Sequence, residues 1–220
     1  MSESGTPSIS ELLARLTPDR LSRLRRAADC RMSGLTVALE SLYDPGNRAA
    51  VYRTAEAFGL LDVHIINRDA GQKSGARLVS RGTEKWLNLV DYATTGEAIR
   101  AFRDKGLRIF GAAMHGDQSL WQLPFDAPSV LVFGNEHRGL SDELLAACDV
   151  VFHIPMYGLA ESLNISNAAA ICVAHARHAR EVAIGQPTDL SVAERDALFD
   201  DYVRRTARWL KPVASGAQND

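Results

Sequence analysis

From Leu35 to about Ile184 the chain alternates short apolar runs with segments of helical spacing, and this alternation restricts the fold more than any other feature. The apolar runs are LTVALESL from Leu35, DVHIIN from Asp62, WLNLVDY from Trp86, LRIFGAAM from Leu107, SVLVFG from Ser129 and VVFHIPM from Val150. Each has strand length, and the segments between them suit helices. Strands separated by helices pair side by side rather than as hairpins, and the helices then cover both faces. The expected fold class is α/β, a mostly parallel sheet with helices on both faces.

Capping signals place the helices. Ser8 with Glu11 forms a capping box before Leu12, Leu13 and Leu16, and Thr17-Pro18 opens a second helix that ends by Ser33-Gly34. Asp44-Pro45-Gly46 reads as a turn, with Asn47 as the cap of a helix running through Ala57. Ser141 caps a short helix through Ala147, and Ser162 opens a long one to about Ile184. Pro187 marks a linker, and Ser191 with Glu194 makes another capping box before Leu198, Phe199, Tyr202 and Val203. Three regions follow: a basic helical N-terminal extension over 1–34, an α/β domain over 35–184 and a helical C-terminal extension over 185–220. Residues 67–85 form a polar loop with Arg68, Lys73, Arg77, Arg81 and Lys85, and both chain ends read as loose tails.

Hydrophobic residues make up 46% of the 220, enough for a sizeable core. The formal net charge of −2 does not announce a nucleic-acid binder, but its distribution does more. Arg20, Arg23, Arg25, Arg26 and Arg31 face a single acid, Asp29, in the same stretch, a local excess suited to phosphates. Arg180 on the long C-terminal helix is a further candidate for RNA. Cys30, Cys148 and Cys172 have no paired spacing, which argues against a disulfide framework or a zinc ribbon. His175 and His178 share a helix face, but no Cys or carboxylate nearby completes a metal set. There is no apolar run of signal-peptide or membrane-spanning length, so the expectation is a cytoplasmic chain with neither metal nor membrane.

Three segments carry candidate chemistry. NRAAVYRTAEAFG, from Asn47 to Gly59, presents Arg53 among small alanines, where it can reach across a close interface or simply face solvent. VLVFGNEHRGLS, from Val130 to Ser141, is a buried strand running into a glycine-containing loop, which suits a ligand site or an ordinary strand-to-helix turn. HIPMYGLAESLNIS, from His153 to Ser166, ends a strand at Pro155 and gathers Glu161, Ser162 and Asn164 near a helix start. The usual nucleotide and hydrolase signatures GxGxxG, GxxxxGK[ST] and GxSxG are absent from the sequence.

Taken together, these segments resemble the three motifs of the SpoU/TrmH branch of the SPOUT RNA methyltransferases. The matching residues are Asn47…Arg53-Thr54-Ala55, then Phe133-Gly134-Asn135-Glu136…Gly139…Ser141, then Ile154-Pro155-Met156…Gly158…Ser162-Leu163-Asn164-Ile165-Ser166. The resemblance covers roughly residues 35–183. It implies a SPOUT fold with a deep trefoil knot over about residues 130–170, and S-adenosylmethionine bound in a bent pose by the knotted loops. By position, Ala112, Gly134, Ile154, Met156, Ser162 and Leu163 would hold that cofactor. Arg53 matches the family's catalytic arginine, and Asn47, Glu136, Ser162 and Asn164 match its polar neighbours. The resemblance also implies a homodimer whose sites are completed by the partner chain.

Departures from the family pattern occur at Ser41, Asn167, Arg81 and Glu84. Only about 34 residues precede the first strand, too few for the extra N-terminal domain of ribosomal-RNA relatives. The helical flanks and LTVALESLYDPGNRAAVYRT resemble the tRNA guanosine-18 enzymes of the branch, so tRNA is the expected partner. Another tRNA or rRNA nucleotide, or a SPOUT-fold RNA-binding protein without catalysis, remain the alternatives.

Overall fold

All six residues of the first strand, Leu35–Glu40 (β1), are buried, which requires neighbours on both edges and cover on both faces. The computed structural model describes residues 7–67 and 82–208 and supplies both. The other strands are Asp62–Ile66 (β2), Asn88–Tyr92 (β3), Arg108–Ala112 (β4), Gln118–Ser119 (β5), Ser129–Phe133 (β6) and Val150–His153 (β7). They form one seven-stranded sheet in the order β3-β2-β1-β6-β4-β7-β5. Every pairing between these strands is parallel, and β1 meets β6 from Leu35↔Ser129 to Leu39↔Phe133. Strand β5 was not foreseen, because two residues carry no periodicity.

Side chains alternate across the sheet as the two-residue period demands. Val37, Leu39, Phe110, Leu131 and Phe133 pack with Val51, Tyr52 and Ala55 of Pro45–Ala57 (α3) and with Cys172, Val173 and Ala176 of Ile165–Ile184 (α6). Ala38, Ile109, Val130 and Val132 point the other way, onto Ala98 and Phe102 of Thr95–Asp104 (α4) and Leu144 of Asp142–Ala147 (α5). Helices therefore cover both faces, as the sequence alternation predicts.

Two helix starts differ from the sequence reading. Asp44, not Asn47, caps α3: its side chain accepts the Asn47 N–H at 2.6 Å, and Pro45 takes the first helical position. Asn164, not Ser162, caps α6, and Ser162 stands exposed ahead of the helix. Both shifts free a side chain from capping or assign it to capping, which matters for the site below.

The chain divides into two compact units, one spanning Arg31–Leu190 and one formed by Met1–Cys30 together with Ser191–Asp220, so that residues 31–34 and 185–190 of the expected extensions belong with the sheet. In the second unit, Ile9–Leu13 (α1) and Pro18–Asp29 (α2) pack with Val192–Ala207 (α7). Segments at opposite ends of the sequence thus share one helical unit. The polar loop with Arg68, Lys73, Arg77 and Arg81, the residues before Pro7 and those after Arg208 lie outside the described residues. No helix among the described residues is long and apolar enough to cross a membrane.

The expected row of phosphate-facing arginines needs correction. Arg31 is 2% exposed; it donates to the Glu56 and Leu60 carbonyls and pairs with the Glu56 carboxylate at 2.9 Å. Arg180 is 4% exposed and donates through Nε and Nη2 to one oxygen of Asp189. Buried arginines held by carboxylates cannot also meet RNA phosphate. Arg25 is half-buried, bonded to Asp29 and Asp196 and stacked 5.3 Å from the centre of the Phe199 ring, so it serves packing within the helical unit. Arg20 is half-buried, while Arg23 and Arg26 are exposed.

Candidate active site

Because the strands are parallel, the loops that follow β1, β6 and β7 leave the same edge of the sheet. The loop after β6 closes on itself. Asn135 and Gly139 exchange backbone hydrogen bonds of 3.0 and 2.8 Å, and the Asn135 side-chain oxygen accepts the amides of His137 and Arg138. Gly139 sits at φ +65°, the left-handed region that favours glycine. A Cβ on Gly134 would lie 2.2 Å from the Gly139 carbonyl carbon. The loop's own closure therefore demands this glycine.

Three side chains from the three motif segments meet at this edge. Asn47, in the first turn of α3, donates from Nδ2 to Glu136 Oε1 at 2.8 Å. Asn164 donates from Nδ2 to Asn47 Oδ1 at 3.1 Å, while its own Oδ1 accepts the Ser166 N–H and hydroxyl and so caps α6. The capping correction explains the arrangement: Asn47 is free to bridge because Asp44 caps its helix. Asn47 uses both halves of its amide, donor toward Glu136 and acceptor toward Asn164, which a carboxylate cannot do. Residues 89 and 117 positions away from Asn47 in sequence are bonded to it.

Two supporting residues escaped the sequence reading. Asn135 Nδ2 donates to the Ser41 carbonyl at 3.0 Å, and Ser41 itself holds a left-handed φ of 52°. Glu40, at the end of β1, is 1% exposed and accepts hydrogen bonds from Ser141 and Thr95. An Asn opening a loop that ends in Gly was the available signal for the first. An acid ending an otherwise uncharged strand was the signal for the second.

The SpoU rRNA Methylase family model matches residues 34–174, the segment that contains all three bonded motifs. The chain belongs to this family. It is 33% identical over 165 residues to the tRNA (guanosine(18)-2′-O)-methyltransferase of Thermus thermophilus, covering 74% of this chain and 84% of that one. The fold is similar to the A. aeolicus TrmH/SpoU tRNA modifying enzyme, with a TM-score of 0.72 and 27% identity over 88% of this chain and 98% of that one. It is also similar to the SpoU methyltransferase AviRb from Streptomyces viridochromogenes, solved in complex with the cofactor AdoMet, with a TM-score of 0.60 and 30% identity over 71% of this chain and 60% of that one.

The positions matched to the family's cofactor residues converge. Ala112 ends β4, Gly134 follows β6 and Ile154 follows β7, and these three strands are neighbours in the sheet. Met156 and Leu163, in the irregular segment before α6, are 39% and 38% exposed. Apolar or side-chain-free residues at three neighbouring strand ends, with exposed apolar side chains on the segment after β7, are of the kinds that suit the adenosine and aliphatic parts of S-adenosylmethionine. Ser162, also matched to this site, is exposed and makes no hydrogen bond among the described residues.

Arg53 stands apart. It lies six residues beyond Asn47 on α3, about one and two-thirds turns, so the two project from different sides of the helix. It is exposed and has no hydrogen bond or ion pair among the described residues. The sheet edge thus offers a fixed amide–carboxylate set, while the guanidinium is held ready without a partner.

Proposed function

We propose that this chain transfers a methyl group from S-adenosylmethionine to the ribose 2′-oxygen of guanosine 18 in tRNA. The observation that carries the reading is the bonded set Asn164–Asn47–Glu136, which joins the family's three motifs at one sheet edge. The names of the relatives from Thermus thermophilus and Escherichia coli support guanosine 18 as the target.

When bound, S-adenosylmethionine supplies a methyl group on a positive sulfur, an electrophile needing no metal. Ala112, Gly134, Ile154, Met156, Ser162 and Leu163 bind it, with much of the recognition through backbone. The Asn47–Glu136 pair orients the loop over the reacting ribose. The hydroxyl must give up its proton, and Arg53 stabilises the charge that develops on oxygen. A guanidinium, with five N–H donors and no acceptor, is far better suited to that role than to taking the proton. We place the reaction in a cytoplasmic homodimer whose knotted loops hold the cofactor while the partner's arginine reaches it. Exposed Arg23 and Arg26 meet tRNA phosphates.

Mass analysis of tRNA nucleosides from cells with and without the gene tests the target. Loss of the ribose methyl at guanosine 18 is expected, and its persistence overturns the assignment. Arg53→Ala should keep cofactor affinity and dimerisation while methyl transfer falls at least about 100-fold. Mixing Arg53→Ala chains with chains defective in the cofactor loop should restore one site in two if the arginine acts across the dimer. Full activity of the Arg53→Ala homodimer removes Arg53 from the chemistry.

A further inference from the structure

The carboxylate of Glu40 is buried at the end of β1, and no lysine or arginine pairs with it among the described residues. It is satisfied instead by neutral donors. Ser141 gives its N–H to Oε2 at 2.8 Å and its hydroxyl to Oε1 at 2.6 Å, and Thr95 gives its hydroxyl to Oε1 at 2.7 Å. A buried carboxylate is tolerable only when its lone pairs are filled in this way. The surprise is what the bonds connect. Ser141 is the last residue of the closed loop that presents Glu136, and it caps α5 by accepting the Leu144 N–H at 3.2 Å. The residue after Glu40 is Ser41, whose carbonyl accepts Asn135 Nδ2 at the start of that same loop.

Two adjacent residues, the last of β1 and the one that follows it, therefore grip the loop at both ends. Glu40 holds Ser141, Ser41 holds Asn135, and Glu136 emerges between the two grips to meet Asn47. Neither grip touches Glu136 itself. The left-handed backbone at Ser41 is what turns its carbonyl out of line with the strand, and it is the one non-glycine residue with positive φ among those described.

We propose that Glu40 is a positioning residue for the methyl-transfer site: its carboxylate sets the loop from Gly134 to Ser141 so that the loop backbone faces the cofactor and Glu136 faces Asn47. This rests on the methyltransferase reading above. Thr95, at the start of α4, shares Oε1 with the Ser141 hydroxyl and anchors Glu40 to the fold rather than to the loop.

The test compares Glu40→Gln with Thr95→Val in the full-length protein. Three quantities are read: S-adenosylmethionine affinity by calorimetry, kcat and KM on tRNA, and amide hydrogen exchange across residues 135–141. Both variants should lower the thermal midpoint. Only Glu40→Gln should accelerate exchange in the loop, at least about 10-fold, weaken cofactor binding about 10-fold and lower kcat more than Thr95→Val does. Thr95→Val should stay within about threefold of the parent in affinity and kcat. If Glu40→Gln does not fold, Ser141→Ala, which removes one of the same bonds, should reproduce the loop exchange and the affinity loss. Combined in one chain, Glu40→Gln and Ser141→Ala should be little worse than either alone, because they break one link. Loop exchange and affinity that stay at the parental level in a folded Glu40→Gln or Ser141→Ala chain overturn the proposal. So does an equal loss in Thr95→Val, which would make Glu40 a simple anchor of the fold. A parent that binds the cofactor yet methylates no RNA refutes the activity, while loop exchange and affinity still decide the role of Glu40.

Discussion

The two edges of the sheet treat charge in opposite ways. At the amino edge, where strands begin, acids are matched with bases. Asp149 pairs with Arg103, Asp62 with Lys105, Asp126 with Arg108 and Asp189 with Arg180. Asp189 also accepts the amides of Ser33 and Gly34 ahead of β1. Burial pushes its carboxyl up, but Arg180 and those two amides outweigh this and hold it below the ordinary value. At the carboxyl edge, Glu136 has an amide as its partner, Glu40 has hydroxyls and an N–H, and Met156 and Leu163 are left open to water. The closed edge keeps the fold together. The open edge retains the unspent interactions that a substrate and cofactor can use, as expected beyond strand ends in parallel sheets.

The contrast breaks most sharply at Asp189. Asp189→Ala leaves Arg180 buried without its carboxylate and removes the acceptor for two amides, so it should cost about 3–5 kcal/mol. Denaturant unfolding measures this, and cofactor affinity measured well below the unfolding midpoint should not change. A loss under about 1 kcal/mol would mean that the amino edge is not the stabilising one.

Acid should attack the fold in two separable stages. Burial drives the His64 imidazole down to about 4, with Asp62 and Lys105 pulling in opposite senses. The unfolded chain takes up this proton near pH 6.5 while the folded chain refuses it until about pH 4. Stability is therefore full above pH 6.5 and falls by about 3 kcal/mol as the pH drops to about 4. The contribution of Asp189 is lost only at still lower pH, because its folded value lies below 3.8. His64→Gln should flatten the first stage and leave the second. A profile identical to the parent's assigns the first stage to other groups.

The smallest cost to the fold should come at the open edge. Asn47→Ala removes two hydrogen bonds that involve exposed partners, worth about 0.5–1.5 kcal/mol each at most. Methyl transfer should nevertheless fall by about 100-fold or more. Comparable losses of stability and activity would erase the distinction between the edges.

What was legible in the sequence was what is local or periodic. Ser8, Thr17, Ser141 and Ser191 cap helices as expected, because each signal lies within four residues of its effect. Where several good caps stand in a row, the sequence could not choose, and Asp44 and Asn164 displaced Asn47 and Ser162. The arginines mark the sharper limit. Arg23 and Arg25 look alike in sequence, yet Arg25 finds Asp196 171 residues away and Arg23 stays exposed. Arg31 and Arg180 likewise are decided by carboxylates from other elements. The motifs named Asn47, Glu136 and Asn164 separately, but their bonds, and the grip of Glu40, exist only once the sheet has brought distant loops together.

The strand order has a consequence for synthesis on the ribosome. Strand β1 is complete early, but its partner β6 emerges about 90 residues later, which at about 5–20 residues per second is a wait of several seconds or more. During that interval β1 can pair with β2 on one edge, while the edge that later takes β6 is unpaired. Parallel pairings between distant segments form slowly, so the nascent protein passes through a half-built sheet with an unpaired interior strand. Chaperone demand and yield in overexpression should thus depend on how quickly translation delivers Ser129–Phe133, a segment that contributes no side chain to the amide–carboxylate set.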